Sequence, residues 1–448
     1  MDGLRSDTIH GAGDVSVSPF DRKIPMAFLD DLNARGFVEA VTHDDLGAKL
    51  EAGPMTLYSG YDPTADSLHL GHLVPIMLMA HFQRAGHTAI ALVGGATGMV
   101  GDPSGRSEER NLITLEEVQH NVDGIKAQLS RFLRFEGDNA ALLLNNHDWI
   151  GPMSFIDYLR DVGKFFSVGA MVAKDSVKKR MAGESGISFT EFSYQTMQAY
   201  DFLHLFREYG CTLQCGGNDQ WGNITAGTEL IRKATGERSQ AYGLTVPLMT
   251  TASGQKFGKS AGNAVWLDIT RTSGYQFYQY WIRAEDADVE KFLRFFTFLS
   301  LDEIAAIMAE HNEAPHQRSA QKRLAEEATR MVHSQDVLDR AIAASAALFG
   351  GDLDGLDKQT LLDAFAEVPS CELPASLFDG EGTPLVDVIA ESGLVKSRGD
   401  AKRALKENSI YVNNAKPAGG MATSADLLHG SLLVLRRGKK NYMLVQVV

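Results

Sequence analysis

Residues 55–93, MTLYSGYDPTADSLHLGHLVPIMLMAHFQRAGHTAIALV, carry the clearest pattern of secondary structure in this chain. Residues 55–62 are mostly apolar or β-favouring and stop at a proline, which predicts a buried strand. Apolar residues then follow helical spacing within 67–84, and Gly86 is placed to end that helix. Because proline fits best in a first helical turn, Pro75 predicts that the helix begins near His72. Residues 88–93 predict the next strand.

Strand, helix and strand in succession predict a βαβ unit, and hence a parallel sheet with a right-handed crossover. Ligands of such sheets bind at the carboxyl ends of the strands, so we expect residues 59–62 and 94–105 to lie at the binding edge. The predicted class is α/β, with a Rossmann-like parallel sheet in a first domain that carries a helical insertion. An α-helical domain and a small α+β domain follow.

The rest of the chain is divided by its pattern. Residues 1–25 are rich in Gly, Asp and Ser and predict a poorly ordered extension. The Gly-, Asp- and Pro-rich composition after Phe349 predicts a linker. The predicted parts are the sheet domain (26–250, with a helical insertion at about 112–188), a loop and helical domain (251–350), the linker (351–383) and a C-terminal domain (384–448).

Composition bounds the class of protein. The 448 residues are 44% hydrophobic and 22% charged, as in a globular protein, and the formal net charge is −14. Residues 384–448 nevertheless hold ten Lys or Arg against five Asp or Glu, a net of +5, so the remainder carries −19. An acidic body with a basic C-terminal region indicates local contact with RNA rather than general binding of nucleic acid.

The cysteines and the apolar runs bear on location. Three cysteines, Cys211, Cys215 and Cys371, are too few and too unevenly spaced for a disulfide framework or a metal cluster. We therefore expect buried thiols, no protein-bound metal and a reducing, cytoplasmic environment. No stretch has the length of a membrane span, and the N-terminal residues lack the pattern of a secretory signal.

Two motifs suggest chemistry. His69-Leu70-Gly71-His72 lies at the predicted start of a helix, where free N–H groups and the helix dipole favour phosphate. Lys256-Phe257-Gly258-Lys259-Ser260 could bring two cations to a departing pyrophosphate. Taken alone, the histidines read as capping or core residues and the lysine run as a solvated loop. Together, and after a strand that ends in Asp-Pro-Thr, they favour cleavage of a nucleoside triphosphate between its α- and β-phosphates.

At this point the chain resembles a known family. Residues 69–72 resemble the HIGH motif of class I aminoacyl-tRNA synthetases, and residues 256–260 resemble their KMSKS loop. The longer segments LYSGYDPTADSLHLGH (57–72), ALVGGATGMVGDPSG (91–105), FTEFSYQTMQAYDFL (189–203) and GGNDQWGNI (216–224) are similar to bacterial tyrosyl-tRNA synthetases. The resemblance runs from about Met26 to the end of the chain.

The resemblance implies a site for L-tyrosine. Tyr58 and Asp201 match the positions that hold the phenol, which can both donate and accept a hydrogen bond. Asp102, Tyr194 and Gln198 match acceptors for the ammonium group, and Gln220 matches a residue near the reacting carboxylate. Outside this context, core packing, a helix surface or a turn would explain the same residue types.

The resemblance also implies a site for ATP, used as a substrate with Mg²⁺. The implied nucleotide residues are Ser59, Gly60, Asp62, His69, His72, Gly217, Asp219 and Lys259. The implied catalytic groups, most of them on the phosphates, are Thr64, His69, His72, Arg106, Arg110, Lys256, Lys259 and Ser260. The tyrosine carboxylate is ionised near pH 7, so its attack on the α-phosphate needs no general base.

The implied partners are tRNA(Tyr) and a second copy of the chain. Residues 385–413 resemble an S4 RNA-binding fold, and their exposed cations would contact RNA phosphates. Those cations are Lys396, Arg398, Lys402, Arg403 and Lys406. In the family, the region near 112–188 makes the interface of a homodimer with twofold symmetry.

Two other readings compete with tyrosine–tRNA ligation. A tryptophanyl synthetase or a small-molecule adenylating ligase would share the nucleotide motifs. Tyr58 and Asp201 argue against a tryptophanyl synthetase, because the indole of tryptophan offers only a donor. The S4-like region argues against a small-molecule adenylating ligase. An RNA-binding or splicing protein without catalysis would not need His69, His72, Lys256 and Lys259.

Overall fold

The parallel sheet predicted from residues 55–93 lies at the centre of the protein. The computed structural model describes residues 26–102, 114–183, 186–236, 240–254, 257–260, 263–366, 368–439 and 441–448. The predicted extension 1–25 lies outside this part. The first elements are α1 (Phe28–Arg35), β1 (Ala40–Val41), α2 (Leu46–Ala52), β2 (Thr56–Tyr61), α3 (Leu70–Arg84) and β3 (Thr88–Val93).

Helix α3 begins two residues before the predicted start at His72, so that prediction was wrong in its boundary. The cause is the cap: the side chain of His69 accepts from Gly71 N, and Leu70 N donates to Val265 O at 2.9 Å. Pro75 therefore lies inside the helix rather than in its first turn. The bond that Pro75 cannot donate would have gone to the carbonyl of Gly71.

The middle of the chain completes the sheet domain. The segment 112–188, predicted to be a helical insertion, also supplies a strand, β4, that pairs parallel to β3. The last strand of the sheet domain, β6, ends at Val246. The elements are α4 (Leu115–Leu129), β4 (Leu142–Asn145), α5 (His147–Ile150), α6 (Phe155–Asp161), α7 (Val168–Val172), α8 (Asp175–Met181), α9 (Phe189–Tyr209), β5 (Cys211–Gly217), α10 (Trp221–Thr235) and β6 (Tyr242–Val246).

Both faces of the sheet are covered. The strand order is β1-β6-β5-β2-β3-β4, with β1 antiparallel and the other neighbours parallel. Leu57 faces the core shared with α3, whereas the next residue, Tyr58, faces the core formed with α9 and α10. This alternation explains why β2 and β3 read as nearly continuous apolar runs.

A helical block follows and shares the core on the α3 side. Phe277, Trp281 and Phe292 of this block belong to the same buried cluster as Leu73 and Met77 of α3. The block therefore holds the loop around Phe257 against the sheet domain. Its elements are β7 (Lys259–Ser260), β8 (Asn263–Ala264), α11 (Gly274–Ile282), α12 (Asp286–Phe296), α13 (Leu301–Glu313), α14 (Ser319–Val332) and α15 (Gln335–Ala347).

The C-terminal part has its own sheet, in the order β11-β13-β14-β9, which confirms a small α+β region. Helices α17 and α18 pack on one of its faces. The elements are α16 (Lys358–Ala364), β9 (Ser370–Leu373), β10 (Thr383–Pro384), α17 (Leu385–Glu391), α18 (Arg398–Lys406), β11 (Ile410–Val412), β12 (Met421–Ala422), β13 (Leu432–Arg437) and β14 (Asn441–Val447).

The predicted linker 351–383 is instead folded. Its strand β9 pairs parallel with β14, and Leu361 and Phe365 of its helix are buried against Val434 and Tyr442. Hydrogen bonds also hold the end of α15, just before this segment, to the same sheet: Tyr442 OH donates to Ala347 O at 3.2 Å. The amide of Asn414 donates to that carbonyl and to Gly351 O. The polar composition that suggested a linker belongs to its turns.

A search of the described helices for one long and apolar enough to cross a membrane finds none.

Candidate active site

The two sequence motifs meet at the start of α3. Leu267 N donates to Leu68 O at 2.8 Å, so the chain after the lysine motif runs beside the chain that enters the histidine motif. A Cβ at Gly258 would lie 3.0 Å from Leu70 Cβ and 3.2 Å from Gly71 N. This approach needs glycine, and Gly258 also has a φ of 80°. The structure therefore brings together two segments separated by about 190 residues.

The two histidine rings are stacked and oriented by backbone groups. Their centroids lie 4.0 Å apart. Nδ1 of His69 accepts from Gly71 N at 3.0 Å, and Nδ1 of His72 accepts from His69 N at 3.2 Å. An accepting Nδ1 leaves the proton of a neutral ring on Nε2. Both rings can then donate from Nε2 beside a helix N-terminus, an arrangement that suits phosphate oxygens.

The lysine motif is anchored through its phenylalanine. The Phe257 ring stacks on Phe296 with centroids 4.8 Å apart, and Gly258 N donates to Tyr280 OH at 3.0 Å. Lys256 lies outside the described residues, as do the side chains of Lys259 and Ser260, whose backbones form β7. Arg106 and Arg110 also lie outside the described residues.

A cavity opens between β2, β3 and α9, where the phenol site was predicted. It measures about 330 Å³, including space open to solvent, and both Tyr58 and Asp201 line it. The Tyr58 side chain is buried and its hydroxyl makes no hydrogen bond within the described part of the chain. A buried polar group without a partner is costly, so a ligand that bonds this hydroxyl would relieve that cost.

Asp201 is the charged group of this cavity. Only 2% of it is exposed, and burial raises the pKa of its carboxyl to about 7. Two donors oppose that rise: Trp149 Nε1 at 2.8 Å and Asn146 Nδ2 at 2.9 Å. Asn146 and Trp149 were missed by the sequence analysis. Their signal was the apolar run LLLN followed by polar residues, the same pattern that ends β2.

Two of the predicted ammonium acceptors, Tyr194 and Gln198, line this cavity, and each bonds to a neighbouring side chain. Tyr194 OH donates to the Asp62 carboxylate at 3.2 Å, and Gln198 Oε1 accepts from Asn223 at 3.0 Å. Asp62 was assigned to the nucleotide, but it lies on the wall of the phenol cavity. An ammonium entering here would therefore meet carboxylate and amide oxygens that are already held in place.

Gln220 links the predicted tyrosine site to the predicted nucleotide site. Its Nε2 donates to Asp102 Oδ2 at 2.7 Å and lies 3.3 Å from Asp219 Oδ2. Burial raises the pKa of the Asp219 carboxyl, an effect that the Gln220 amide opposes. A Cβ at Gly217 would lie 2.5 Å from Asp219 Oδ1, so a side chain at this position would displace the carboxylate. The reacting carboxylate and the ribose can thus share one amide bridge.

The remaining nucleotide residues follow β2 to its carboxyl end. Ser59 is buried and pairs in register with Cys215 of β5, whereas Gly60 and Thr64 are exposed. Cys215 and Cys211 are free, buried thiols, and burial raises the pKa of each. No group of three or more metal-ligating side chains occurs among the residues described.

The predicted RNA contacts lie on one helix and the turn before it. Helix α18 buries Ala401 and Ala404 against the C-terminal core, and its opposite face is basic. Arg398 forms an ion pair with Asp387, Nε to Oδ1 at 2.7 Å. All five cations predicted to contact RNA are exposed: Lys396, Arg398, Lys402, Arg403 and Lys406.

Two family models match this chain. A family model described as tRNA synthetases class I (W and Y) matches residues 50–350. A second, described as the tyrosine–tRNA ligase SYY-like C-terminal domain, matches residues 360–445. That match begins inside the segment predicted as a linker, in agreement with the folded β9.

Similar proteins extend over nearly the whole chain. A tyrosine–tRNA ligase of Roseiflexus castenholzii is 51% identical over 423 residues, covering 94% of this chain and 99% of the relative. Tyrosine–tRNA ligase 1 of Bacillus subtilis is 50% identical over 421 residues, covering 93% and 98%. Among solved structures, a C-terminally truncated mitochondrial tyrosyl-tRNA synthetase of Aspergillus nidulans superposes with a TM-score of 0.64 at 34% identity. It covers 70% of this chain and 92% of that chain.

Proposed function

Because the chain belongs to the class I tRNA synthetases, among the tyrosine–tRNA ligases, we propose that it activates L-tyrosine with ATP and transfers it to tRNA(Tyr). The observation that carries this proposal is that the buried Tyr58 hydroxyl and the Asp201 carboxylate both line one cavity. That cavity opens at the same end of the sheet as the stacked histidines.

The phenol of tyrosine fits these two groups. It can donate to the Asp201 carboxylate and accept from the Tyr58 hydroxyl. Phenylalanine would leave both buried groups without that partner, at a cost of about 1–3 kcal/mol for each. Rejection of phenylalanine by a site that bonds the tyrosine hydroxyl is already well known for tyrosyl-tRNA synthetases.

Tyrosine binding should depend on pH through Asp201. With a pKa of about 7, the carboxyl is mostly protonated below that value and loses the charge that makes it a strong acceptor for the phenol hydrogen. We expect tyrosine affinity to fall about tenfold between pH 8 and pH 6, measured by equilibrium dialysis. Removing a donor with Asn146→Ala should move the midpoint to higher pH, and an affinity that is flat with pH would contradict the assignment.

Ionisation of Asp201 affects folding stability and tyrosine affinity in opposite directions. Its folded pKa lies above the ordinary value, so the native state binds more protons than the unfolded state between about pH 4 and pH 7. The free energy of unfolding contributed by Asp201 therefore falls as the pH rises through that window. The ionised state that binds tyrosine is the less stable one.

Activation then needs positioning and neutralisation of charge. The tyrosine carboxylate oxygen bonds to the α-phosphorus as the bond to the pyrophosphate oxygen breaks, and pyrophosphate leaves. We assign the phosphate contacts to Thr64, His69 and His72, with cationic support from Arg106, Arg110, Lys256 and Lys259. Ser260 closes the lysine motif. Fixed donors and cations of this kind stabilise charge that grows in the transition state.

The nucleoside and the metal follow from the same arrangement. We place the ribose on Asp219 and Ser59, with Gly60 and Gly217 allowing close approach. The phosphate end is built from N–H donors and histidines, which suits an anion, and Mg²⁺ is commonly held by substrate phosphates and water. We therefore propose that Mg²⁺ arrives with ATP and is not a resident metal of the protein.

Transfer completes the reaction. A ribose hydroxyl at the 3′ end of the tRNA attacks the tyrosyl carbonyl, loses its proton, and AMP leaves with the electrons of the cleaved mixed anhydride. We propose that the basic face of α18 contacts the tRNA phosphates. Translation takes place in the cytoplasm of bacteria, where we place the enzyme. The direct test is tyrosylation of purified tRNA(Tyr), followed by acid gel electrophoresis; absence of charging would contradict the proposal.

We also propose a homodimer formed through the region between β4 and α9. Large apolar side chains are exposed there, with Phe155 at 64%, Ile156 at 67% and Phe189 at 70%. Exposed apolar surface of this kind marks protein contacts. In a twofold interface both subunits use the same surface, so the copy of each residue in each subunit would be buried.

The dimer prediction concerns Ile156. A carboxylate placed in that interface by Ile156→Glu would be buried without a partner, so we expect dissociation to monomers. Light scattering after size exclusion reads the mass directly. The matched control is Ile342→Glu, an exposed isoleucine on α15, which should remain dimeric. A dimer that survives Ile156→Glu would place the interface elsewhere.

A further inference from the structure

We propose that helix α4 positions the phosphate-binding loop of the active site through Asn121, Gly124 and Gln128. The phosphate-binding loop is residues 63–68, the segment between β2 and the His69 cap of α3. These three residues touch neither the phenol cavity nor the histidine rings, so they are positioning residues rather than catalytic ones. The inference rests on the proposed function, since its readout is activation with ATP.

Two side-chain amides of α4 bond to the backbone at opposite ends of the phosphate-binding loop. Asn121, which is 9% exposed, donates from Nδ2 to Pro63 O at 2.8 Å. Gln128, two turns further along, accepts at Oε1 from Leu68 N at 2.8 Å. Its Nε2 also donates to Ser67 Oγ at 3.1 Å. The helix thus fixes both the entry and the exit of the loop.

Between these amides, Gly124 lets the loop lie directly on the helix. A Cβ at this position would be 2.0 Å from Asp66 O, closer than any real contact. Glycine inside a helix is otherwise unfavourable relative to alanine. Its presence in the middle of α4 is therefore explained by contact with the loop rather than by the needs of the helix.

The loop depends on such support because it forms no helix or strand of its own. It carries Thr64 and leads into His69, and so sets where both groups meet the phosphates. Its other side is held by the chain that follows the lysine motif. There Asp268 N donates to Ser67 Oγ at 3.2 Å, and Arg271 forms an ion pair with Asp66. Helix α4 therefore holds one side of the loop, and the chain that contains Asp268 and Arg271 holds the other.

The test compares variants of α4 in tyrosine-dependent exchange of labelled pyrophosphate into ATP. Gly124→Ala favours the helix but must displace the loop, so we expect kcat/KM for ATP to fall about 10- to 100-fold. Asn121→Ala and Gln128→Ala should act in the same direction. Gln128→Glu keeps an acceptor for Leu68 N and should retain most of the activity. The matched control is Gln119→Ala, on the exposed face of the same helix.

Tyrosine affinity separates positioning from general damage. We expect the tyrosine Kd of Gly124→Ala to stay within about twofold of the wild type while the melting temperature falls, because the alanine displaces the loop from its contacts with the helix. Unchanged ATP kinetics would overturn the inference, and so would parallel losses of tyrosine affinity and stability. Absence of exchange in the unmodified protein would instead contradict the proposed function, and the two failures are thereby distinguished.

Discussion

Replacing Asp201 with alanine is expected to weaken tyrosine binding by about 100-fold or more, roughly 3 kcal/mol. The substitution removes the acceptor for the phenol, and it also leaves two buried donors, Trp149 Nε1 and Asn146 Nδ2, without their acceptor. Equilibrium dialysis with labelled tyrosine measures the loss. Tyrosine-dependent adenylate formation should fall in parallel at subsaturating tyrosine.

Two comparisons make this result specific. Glu229→Ala removes an exposed carboxylate of α10 that is paired with Arg232, and tyrosine binding should not change. ATP binding to the Asp201 variant should also be retained, because Asp219 and the histidines lie outside the phenol cavity. A tyrosine Kd within about twofold of the wild type would remove Asp201 from the recognition of the phenol.

Replacing Gly258 with valine is expected to lower the rate of adenylate formation by about 100-fold with little change in tyrosine affinity. The new side chain would meet Leu70 Cβ at 3.0 Å and Gly71 N at 3.2 Å, and so would push the lysine motif away from the start of α3. A φ of 80° adds backbone strain. Single-turnover formation of the adenylate, measured at saturating tyrosine, reports the effect.

The chain offers a matched control four residues earlier. Gly254 has the same φ of 80°, but a Cβ there would meet no atom of the described residues within 4 Å. Gly254→Val therefore carries the backbone strain without the collision, and we expect it to retain most of the activity. If both valine variants lose activity equally, strain in the loop rather than contact with the histidine motif would be responsible.

The sequence predicted the parts of the fold whose signal is local. Strand β3 lies where the apolar run placed it, and β2 follows its predicted bounds to within a residue, because both are buried on two faces. The start of α3 was misplaced because a long-range bond from Leu70 to Val265 outweighed the preference of Pro75 for a first turn. That contact spans almost two hundred residues and leaves no mark in the local pattern.

Composition misled where polar turns separate short buried elements. The segment 351–383 reads as a linker, yet Leu361 and Phe365 are buried against the C-terminal sheet and β9 extends that sheet. A similar difficulty hid β4, whose four residues stand inside a mostly helical segment. Parallel pairing with β14 and β3 fixes these strands, and such pairing depends on the whole fold.

The sequence predicted only two of the four phenol-site residues discussed above. Tyr58 and Asp201 could be matched to a family motif, and the structure brings them to one cavity. Asn146 and Trp149 lie more than 50 residues before Asp201 in the chain, and their role depends on β4. The raised pKa of Asp201 is likewise a product of burial, which the sequence does not display.

Recognition of the tyrosine phenol by Tyr58 and Asp201 can be tested by amino-acid-dependent exchange of labelled pyrophosphate into ATP, without tRNA. Tyrosine, phenylalanine and tryptophan are compared at equal concentrations with the full-length protein and Mg²⁺. We expect rapid exchange with tyrosine and little with the other two, because only tyrosine can bond to both Tyr58 and Asp201. Comparable exchange with phenylalanine or tryptophan, or none with tyrosine, would contradict it.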